Sequence, residues 1–206
     1  MTLSAQDRAR RIKIVLFDVD GVLTDGGIWL LPIPVAASDG STTTRMVEVK
    51  GYSAHDGLGV KLARLGGMKI GFITKRISET VALRARDLRI EFVYQGQNFK
   101  MQAVRDIMAK EGVTLDEIAY VGDDVIDLPV MRECGFAVAV ANARERVKAE
   151  AHYVTRHRGG QGAGRDAIEF ILEAKGVLDQ CIAECIAEDS PLSLSMDIGM
   201  GGDLKE

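Results

Sequence analysis

Short apolar runs alternate with amphipathic segments along most of the chain. Six of the apolar runs are predicted to be strands, at Ile12–Phe17, Lys69–Ile73, Glu91–Tyr94, Ile118–Val121, Phe136–Val140 and Tyr153–Val154. Apolar residues at helical spacing predict helices near Asp56–Leu65, Ser78–Leu88, Phe99–Glu111, Leu128–Glu133, Ala143–Ala149 and Ala163–Lys175. Continuously apolar strands are typical of parallel sheets that are buried on both faces. The alternation therefore predicts an α/β fold, a doubly wound, Rossmann-like parallel sheet with right-handed crossovers.

Two segments interrupt this alternation. Residues 27–50 contain two extended runs, Ile28–Leu31 and Arg45–Val49, joined by a long polar and proline-containing tip. This pattern predicts a β-hairpin inserted after the first strand. The chain beyond residue 179 starts helically and ends rich in glycine, which is typical of a mobile terminus. We therefore predict one domain over residues 8–178 and a partly mobile C-terminal tail over residues 179–206.

Two carboxylates follow the first predicted strand directly. Asp18 and Asp20 lie two residues apart, and Gly21 then permits a sharp exit of the chain. Ligands of open α/β sheets bind beyond the carboxyl ends of the strands. Because strand side chains repeat every two residues, both acids can address one site. The pair indicates a metal ligand, a nucleophile or an acid–base pair.

A second acidic cluster follows the predicted strand at Ile118–Val121. It consists of Asp123, Asp124 and Asp127. If the two strands are neighbours, carboxylates from both meet at one edge, and such hard oxygen ligands suit Mg²⁺. Thr74 ends a third strand and Lys100 opens a helix, and a hydroxyl and an ammonium are suitable phosphate ligands.

Composition narrows the class of protein only slightly. The net charge of −4 gives no indication of a nucleic-acid or membrane partner. We find no apolar run long enough to span a bilayer and no apolar signal-peptide core near the N-terminus. The three cysteines, Cys134, Cys181 and Cys185, argue against a disulfide framework, so we expect a cytoplasmic protein.

These motifs, taken in order, resemble those of the haloacid dehalogenase superfamily of phosphohydrolases. The resemblance rests on Asp18-Val-Asp-Gly-Val-Leu-Thr, on Thr74, on Lys100 and on Gly122-Asp-Asp-Val-Ile-Asp, and it spans roughly residues 12–175. Within that superfamily the chain is similar to the 3-deoxy-D-manno-octulosonate 8-phosphate phosphatases. That similarity adds two further segments, His55-Asp-Gly-Leu-Gly and Gly159-Gly-Gln-Gly-Ala-Gly-Arg-Asp.

The resemblance implies a role for each motif residue. Asp18 would be the nucleophile that becomes an aspartyl phosphate, and Asp20 would protonate the leaving group and then help to activate water. Mg²⁺ would bind Asp18, the backbone carbonyl of Asp20, and Asp123. Thr74 and Lys100 would hold the non-bridging phosphate oxygens.

The resemblance also implies supporting and substrate-binding residues. Asp127 would orient Lys100 or the metal-bound waters, and Asp124 would support the metal site from behind. Four residues would contact the substrate: Lys75, Arg76, His55 and Arg165. Of these, Arg165 is the best candidate for a substrate carboxylate, because its guanidinium can bind one with two hydrogen bonds.

The motif spacings leave no room for the cap domain that many members of the superfamily carry. We therefore expect a capless core whose site would be open to water. Relatives of this kind form tetramers in which a neighbour covers each site, so the resemblance implies a homotetramer. Our hypothesis is that the 27–50 hairpin mediates this assembly. The implied substrate is a phosphorylated 2-keto-3-deoxy sugar acid in a pathway of cell-surface (lipopolysaccharide) sugar synthesis.

Three departures from the family pattern leave alternatives open. The family's Ser-Gly-Arg is Thr74-Lys75-Arg76 here, its Arg before Asp-Gly is His55, and the hairpin is longer than usual. These changes concern the substrate side of the site. A nine-carbon sugar acid phosphate, or another small phosphate ester, is therefore an alternative substrate. A non-catalytic oligomerisation module is the alternative from a different class of protein.

Overall fold

The computed structural model describes residues 3–36 and 38–187. Its strands are β1 (Ile14–Phe17), β2 (Trp29–Ala36), β3 (Thr42–Val49), β4 (Lys69–Ile73), β5 (Phe92–Tyr94), β6 (Ile118–Gly122), β7 (Phe136–Ala139) and β8 (Tyr153–Val154). Its α-helices are α1 (Ala5–Ala9), α2 (Ala54–Leu65), α3 (Glu79–Asp87), α4 (Lys100–Glu111), α5 (Leu128–Met131), α6 (Glu145–Lys148), α7 (Ala163–Lys175) and α8 (Leu178–Ile186). A 3₁₀ turn at Leu115–Glu117 precedes β6.

Six of the strands form one parallel sheet in the order β5-β4-β1-β6-β7-β8. The chain builds β1, β4 and β5 toward one edge and then crosses back to lay β6, β7 and β8 on the other side of β1. The direction of winding therefore reverses between β1 and β6, which is the position where doubly wound sheets bind their ligands. The predicted doubly wound α/β fold is confirmed.

The central strand β1 is apolar because both of its faces are covered. All four of its residues are buried. Phe17 lies opposite Phe72 of β4 on one side and Val121 of β6 on the other. Burying one such side chain contributes about 1.5–3 kcal/mol, so this register is strongly specified. It also places the residues that follow β1, β4 and β6 side by side at one edge of the sheet.

The packed domain begins and ends outside the predicted bounds of residues 8–178. Helix α1 packs against α7, and α8 packs against α2 with Cys181 buried in the contact. Residues 179–186 are thus helical, as predicted for the start of the tail, and residues 188–206 of the predicted tail lie outside the described residues. None of the described helices has the length and apolar character needed to cross a membrane.

The insertion after β1 is an antiparallel ribbon whose strands are longer than predicted. Trp29 pairs with Val49 and Ala36 pairs with Thr42, so most of the predicted tip is paired. Pro32 and Pro34 fit within β2 because residues two apart turn their amides to the same side, here the open edge of the ribbon.

The ribbon has a highly exposed apolar surface. Its exposed large side chains are Trp29, Leu30, Leu31, Ile33, Val35, Met46 and Val49, and the side chain of Trp29 is 61% exposed. An apolar surface of this size on a single chain is characteristic of an interaction site. In the described part of the chain the ribbon is the insertion between β1 and α2, and it is too small to be a cap domain. This agrees with the predicted capless core.

Candidate active site

A buried lysine joins two of the predicted site carboxylates. Lys100 opens α4, and its Nζ lies 2.7 Å from Oδ1 of Asp18 and 2.6 Å from Oδ1 of Asp127. All three side chains are almost fully buried. Burial by itself would lower the pKa of Lys100, but the two carboxylates outweigh that effect and raise the pKa above its ordinary value. Lys100 is therefore a fixed positive charge at the end of β1.

Asp127 fixes the surroundings of Lys100 through hydrogen bonds to both of its carboxylate oxygens. Its Oδ1 also accepts a hydrogen bond from the Tyr120 hydroxyl at 2.8 Å. Its Oδ2 accepts from the backbone N–H groups of Asp123, at 3.0 Å, and Asp124, at 3.3 Å. With both oxygens engaged, Asp127 fixes Lys100 and the loop after β6. This geometry is compatible with the predicted orienting role.

Asp123 brings a further carboxylate to the same place. One carboxylate oxygen each of Asp18, Asp123 and Asp127 lie within 4.8 Å of one another. Gly21 makes this approach possible: its φ is +90°, and a Cβ there would lie 2.2 Å from Oδ2 of Asp123. The glycine that follows the first acidic motif is thus required by both backbone conformation and space.

The cluster carries more negative charge than Lys100 balances. Burial, reinforced by Asp18 and Asp127, raises the pKa of Asp123 to about 8. Burial also raises the pKa of Asp18 to about 6, although Lys100 opposes the shift. Buried carboxylates that repel one another in this way are ionised together when a cation lies between them.

Asp20 is directed toward the base of the hairpin. Its Oδ1 contacts Nζ of Lys50, and its Oδ2 lies 3.8 Å from Nε of Arg76. Glu48 accepts from both cations, with Lys50 at 3.3 Å and Arg76 at 2.6 Å. Two cations and two carboxylates thus form one network between the hairpin and the end of β1.

The segment after β4 places its three predicted residues differently. Thr74 is buried beside the end of β1, and its Oγ1 accepts from the backbone N–H of Arg76 at 3.3 Å. Lys75 is exposed, and Arg76 extends toward Glu48. Asp124 is also exposed, although its charge contributes to the raised pKa of Asp123.

The glycine-rich segment is packed directly onto the loop after β1. A Cβ at Gly159 would lie 1.8 Å from the carbonyl oxygen of Gly21, so only glycine fits there. Asn142 bridges the two loops: its side chain donates to that same carbonyl at 3.0 Å and accepts from the Gly159 N–H at 2.6 Å. The packing fixes the loop that carries Asp20.

The remaining two predicted substrate residues lie together, but apart from the acidic cluster. Arg165 donates from Nε to Glu169 at 2.6 Å, and its guanidinium and the exposed side chain of His55 line one surface cleft. The residues that line this cleft do not include Asp18, Asp20 or Asp123. In the single chain, therefore, these two residues do not complete the site around the carboxylates.

Four contributing residues were not singled out from the sequence: Glu48, Lys50, Tyr120 and Asn142. The sequence pattern predicts that Tyr120 belongs to the apolar core of a strand. Its hydroxyl contributes to the site because β6 places it within hydrogen-bonding distance of Asp127. Asn142 follows a strand that ends at the same edge of the sheet, a position that could have identified it. Glu48 lies within a largely exposed hairpin strand and Lys50 directly follows it, and nothing in the local pattern indicates that the Lys50 side chain is buried.

Comparison with known proteins agrees with this geometry. A model of the haloacid dehalogenase-like hydrolases matches residues 72–163. The 3-deoxy-D-manno-octulosonate 8-phosphate phosphatase KdsC of Escherichia coli K12 is 37% identical over 179 residues, which cover 87% of this chain and 89% of the relative.

Solved structures give the same result. The phosphatase of that name from Moraxella catarrhalis, crystallised with a magnesium ion, a phosphate ion and a KDO molecule, aligns with a TM-score of 0.76 at 37% identity, covering 87% of this chain and 96% of that chain. The Yersinia pestis phosphatase aligns with a TM-score of 0.75 at 35% identity, covering 85% and 88% of the two chains.

The fold and the carboxylate–lysine site define an enzyme that hydrolyses phosphoric monoesters. The chain belongs to the haloacid dehalogenase-like hydrolases. Within them it is similar to the 3-deoxy-D-manno-octulosonate 8-phosphate phosphatases. The resemblance deduced from the sequence motifs is confirmed.

The close packing at Gly159 leads to a test of the loop that carries Asp20. We expect Gly159→Ala to lower the free energy of unfolding by about 1–3 kcal/mol, because the added methyl group forces two backbones apart. Urea denaturation measures this change. Gly51→Ala is the matched control, since a Cβ there meets nothing within 4 Å. Equal unfolding energies for the two variants would contradict the packing argument.

Proposed function

We propose that this protein is a Mg²⁺-dependent phosphatase that hydrolyses 3-deoxy-D-manno-octulosonate 8-phosphate through an aspartyl phosphate on Asp18. The observation that carries the proposal is the buried Asp18–Lys100–Asp127 arrangement with Asp123 beside it, at the point where the sheet reverses its winding. The similar phosphatases, one of them crystallised with magnesium, phosphate and KDO, support the choice of metal and substrate.

The donor atoms fit Mg²⁺. Asp18 and Asp123 supply carboxylate oxygens close enough to share an ion, and the backbone carbonyl of Asp20 would complete the protein ligands. Burial and, after it, the neighbouring carboxylates raise the pKa values of Asp18 and Asp123, and a bound cation would favour their ionised forms. When bound, Mg²⁺ would relieve the repulsion between an attacking carboxylate and an anionic phosphate ester.

The protein's own groups divide the chemistry between them. The Asp18 carboxylate attacks phosphorus, and Lys100 holds that carboxylate in place while its ammonium balances charge on the phosphoryl oxygens. Thr74, buried beside Asp18, offers a hydroxyl to another oxygen. Asp20 gives its proton to the leaving oxygen and afterwards takes one from the water that hydrolyses the aspartyl phosphate.

The substrate and the assembly are linked in this proposal. Arg165 and His55 do not reach the carboxylates of their own chain, but in a homotetramer they become available to a neighbour's site. The apolar ribbon provides the surface that would drive this association. Recognition of the sugar carboxylate would then use Arg165 across the interface and Arg76 or Lys75 within the chain.

Phosphate release with a panel of esters tests the proposed reaction. We expect kcat/KM to be highest for the eight-carbon sugar acid phosphate; a preference for the nine-carbon analogue would move the substrate assignment to that compound. Asp18→Asn should lower turnover about 10³-fold or more, because the amide is a poor nucleophile. Asp116→Asn, the same change at an exposed aspartate, serves as the control. Retained turnover in Asp18→Asn would rule out the proposed nucleophile.

Metal binding should stabilise the protein more strongly as the pH rises. The folded-state pKa values of Asp18 and Asp123, about 6 and about 8, lie above the ordinary value of 3.8. In metal-free protein the stability that these protonated groups contribute is therefore present at low pH and is lost as the pH rises from about 4 through 8. Mg²⁺ needs the ionised carboxylates and restores stability where they are ionised.

We therefore expect the increase in Tm on adding MgCl₂ to be larger at pH 8.5 than at pH 5, by differential scanning fluorimetry. KCl at equal ionic strength controls for screening. Asp123→Asn should remove most of the increase. An increase of the same size at both pH values would contradict metal binding at these carboxylates.

Shortening the hairpin tests its role in assembly. Leu31 lies opposite Val47, so residues 32–46 can be replaced by Asn-Gly, a two-residue turn that closes the same register. We expect size-exclusion chromatography with light scattering to change from a tetramer to a monomer, since the outer part of both strands, with Ile33, Val35 and Met46, is gone, while the circular dichroism of the core persists. A tetramer formed by the shortened chain would exclude the hairpin as its mediator.

A further inference from the structure

We propose that Lys50 is a positioning residue for the proposed reaction: it holds the Asp20 carboxyl group in the orientation that faces the leaving oxygen. This inference rests on the proposed function and on the role of Asp20 within it. Lys50 follows the last residue of β3, and its Nζ contacts Oδ1 of Asp20. Its side chain is 1% exposed, although it belongs to an otherwise exposed ribbon.

A buried ammonium is costly unless it is paired, so the contacts of Lys50 require explanation. Its second partner is Glu48, at 3.3 Å. Glu48 also accepts hydrogen bonds from Arg76 and from the Ser78 hydroxyl. Partial burial would raise the pKa of Glu48, but the hydrogen bonds from Ser78 and Arg76 and the charge of Lys50 outweigh it and lower the pKa. Glu48 is thus an ionised anchor for both cations.

Asp20 needs this support more than the other site carboxylates do. Asp18 and Asp127 are held by Lys100 within the core, whereas the side chain of Asp20 is 24% exposed and precedes the turn at Gly21. Lys50 binds one oxygen of Asp20, and Arg76 approaches the other at 3.8 Å. The two cations therefore fix the direction in which the carboxyl group points.

The proposed role follows the proton through both steps. In the first step the protonated Asp20 gives its proton to the bridging oxygen as the bond from phosphorus to that oxygen breaks, and Asp20 becomes a carboxylate beside Lys50. In the second step this carboxylate takes a proton from the attacking water as the aspartyl phosphate is hydrolysed. Lys50 holds the Asp20 carboxyl group in one orientation through both steps, and it transfers no proton itself.

Two other roles for Lys50 predict different behaviour. A lysine that only fastens the hairpin to the core would affect all substrates equally when it is removed. A lysine that binds the substrate carboxylate would affect only acidic substrates, and mainly KM. A lysine that acts through Asp20 affects substrates according to how much their leaving group needs a proton.

The experiment compares benzyl phosphate, whose alkoxide leaving group needs a proton, with p-nitrophenyl phosphate, whose phenolate leaves without one. Neither ester carries a carboxylate. We expect Lys50→Met to lower kcat/KM about 100-fold for benzyl phosphate and less than about threefold for p-nitrophenyl phosphate, in line with the usual contribution of a general acid. The ratio of the two values is measured on one preparation, so it is independent of the fraction of protein that folds.

Three further variants complete the test. Asp20→Asn should show the same dependence on leaving group, and adding Lys50→Met to it should cause no further loss for benzyl phosphate. Glu48→Gln should shift the ratio in the same direction by a smaller factor. Arg45→Met is the matched control: it removes an ion pair of the same ribbon, with Glu79, and should leave the ratio unchanged.

An equal loss for both esters in Lys50→Met, or additive losses in the double variant, would overturn the proposal. Unchanged values for both esters together with a raised KM for the sugar acid phosphate would overturn it in favour of substrate binding. Failure of the proposed function is a distinct result, because the unmodified enzyme would then release no phosphate from either ester.

Discussion

The site depends on a single buried cation. Lys100 reaches from the first turn of α4 over the end of the sheet and lies between Asp18 and Asp127. Without that charge, three carboxylates would converge in a nearly dry environment, and burial would favour their neutral forms. With it, Asp18 is held in one orientation. Asp127, which also binds Lys100, accepts hydrogen bonds that fix Tyr120 and the loop that carries Asp123. In the proposed function, the residual excess of negative charge is what a bound Mg²⁺ would neutralise.

The hairpin contributes ion pairs at its base and an exposed apolar surface along its length. Its base carries Glu48 and Lys50, which engage Asp20 and Arg76 and so link the ribbon to the catalytic loop. Its outer part exposes apolar side chains that the described chain does not cover. In the proposed assembly a neighbouring copy would restrict the access of water to the site. The exposed ribbon and the position of Arg165 outside the carboxylate cluster are the observations that support this proposal.

The predictions from the sequence agree best with the structure at the ends of the parallel strands, where the sheet topology brings together residues that the local pattern identifies. Asp18, Thr74 and Asp123 each follow an apolar strand, and parallel strands carry such residues to a common edge. For this reason the sequence alone groups these motifs at one site. The hairpin strands were less well predicted. Proline argues against a paired strand in the sequence, although it is tolerated where its nitrogen faces an open edge, as in β2.

By itself, the sequence determined the α/β class, the order of the motifs and the identity of the carboxylates, because periodicity and strand-end chemistry are local properties. Only the tertiary structure decided which charges meet. Lys50 became buried, Asn142 came to bridge two glycine loops, and His55 and Arg165 came to lie in a separate cleft. The physical reason is that burial and pairing depend on residues distant along the chain. Asp20, for example, lies 30 residues before Lys50 along the chain, and the fold brings the two side chains into contact.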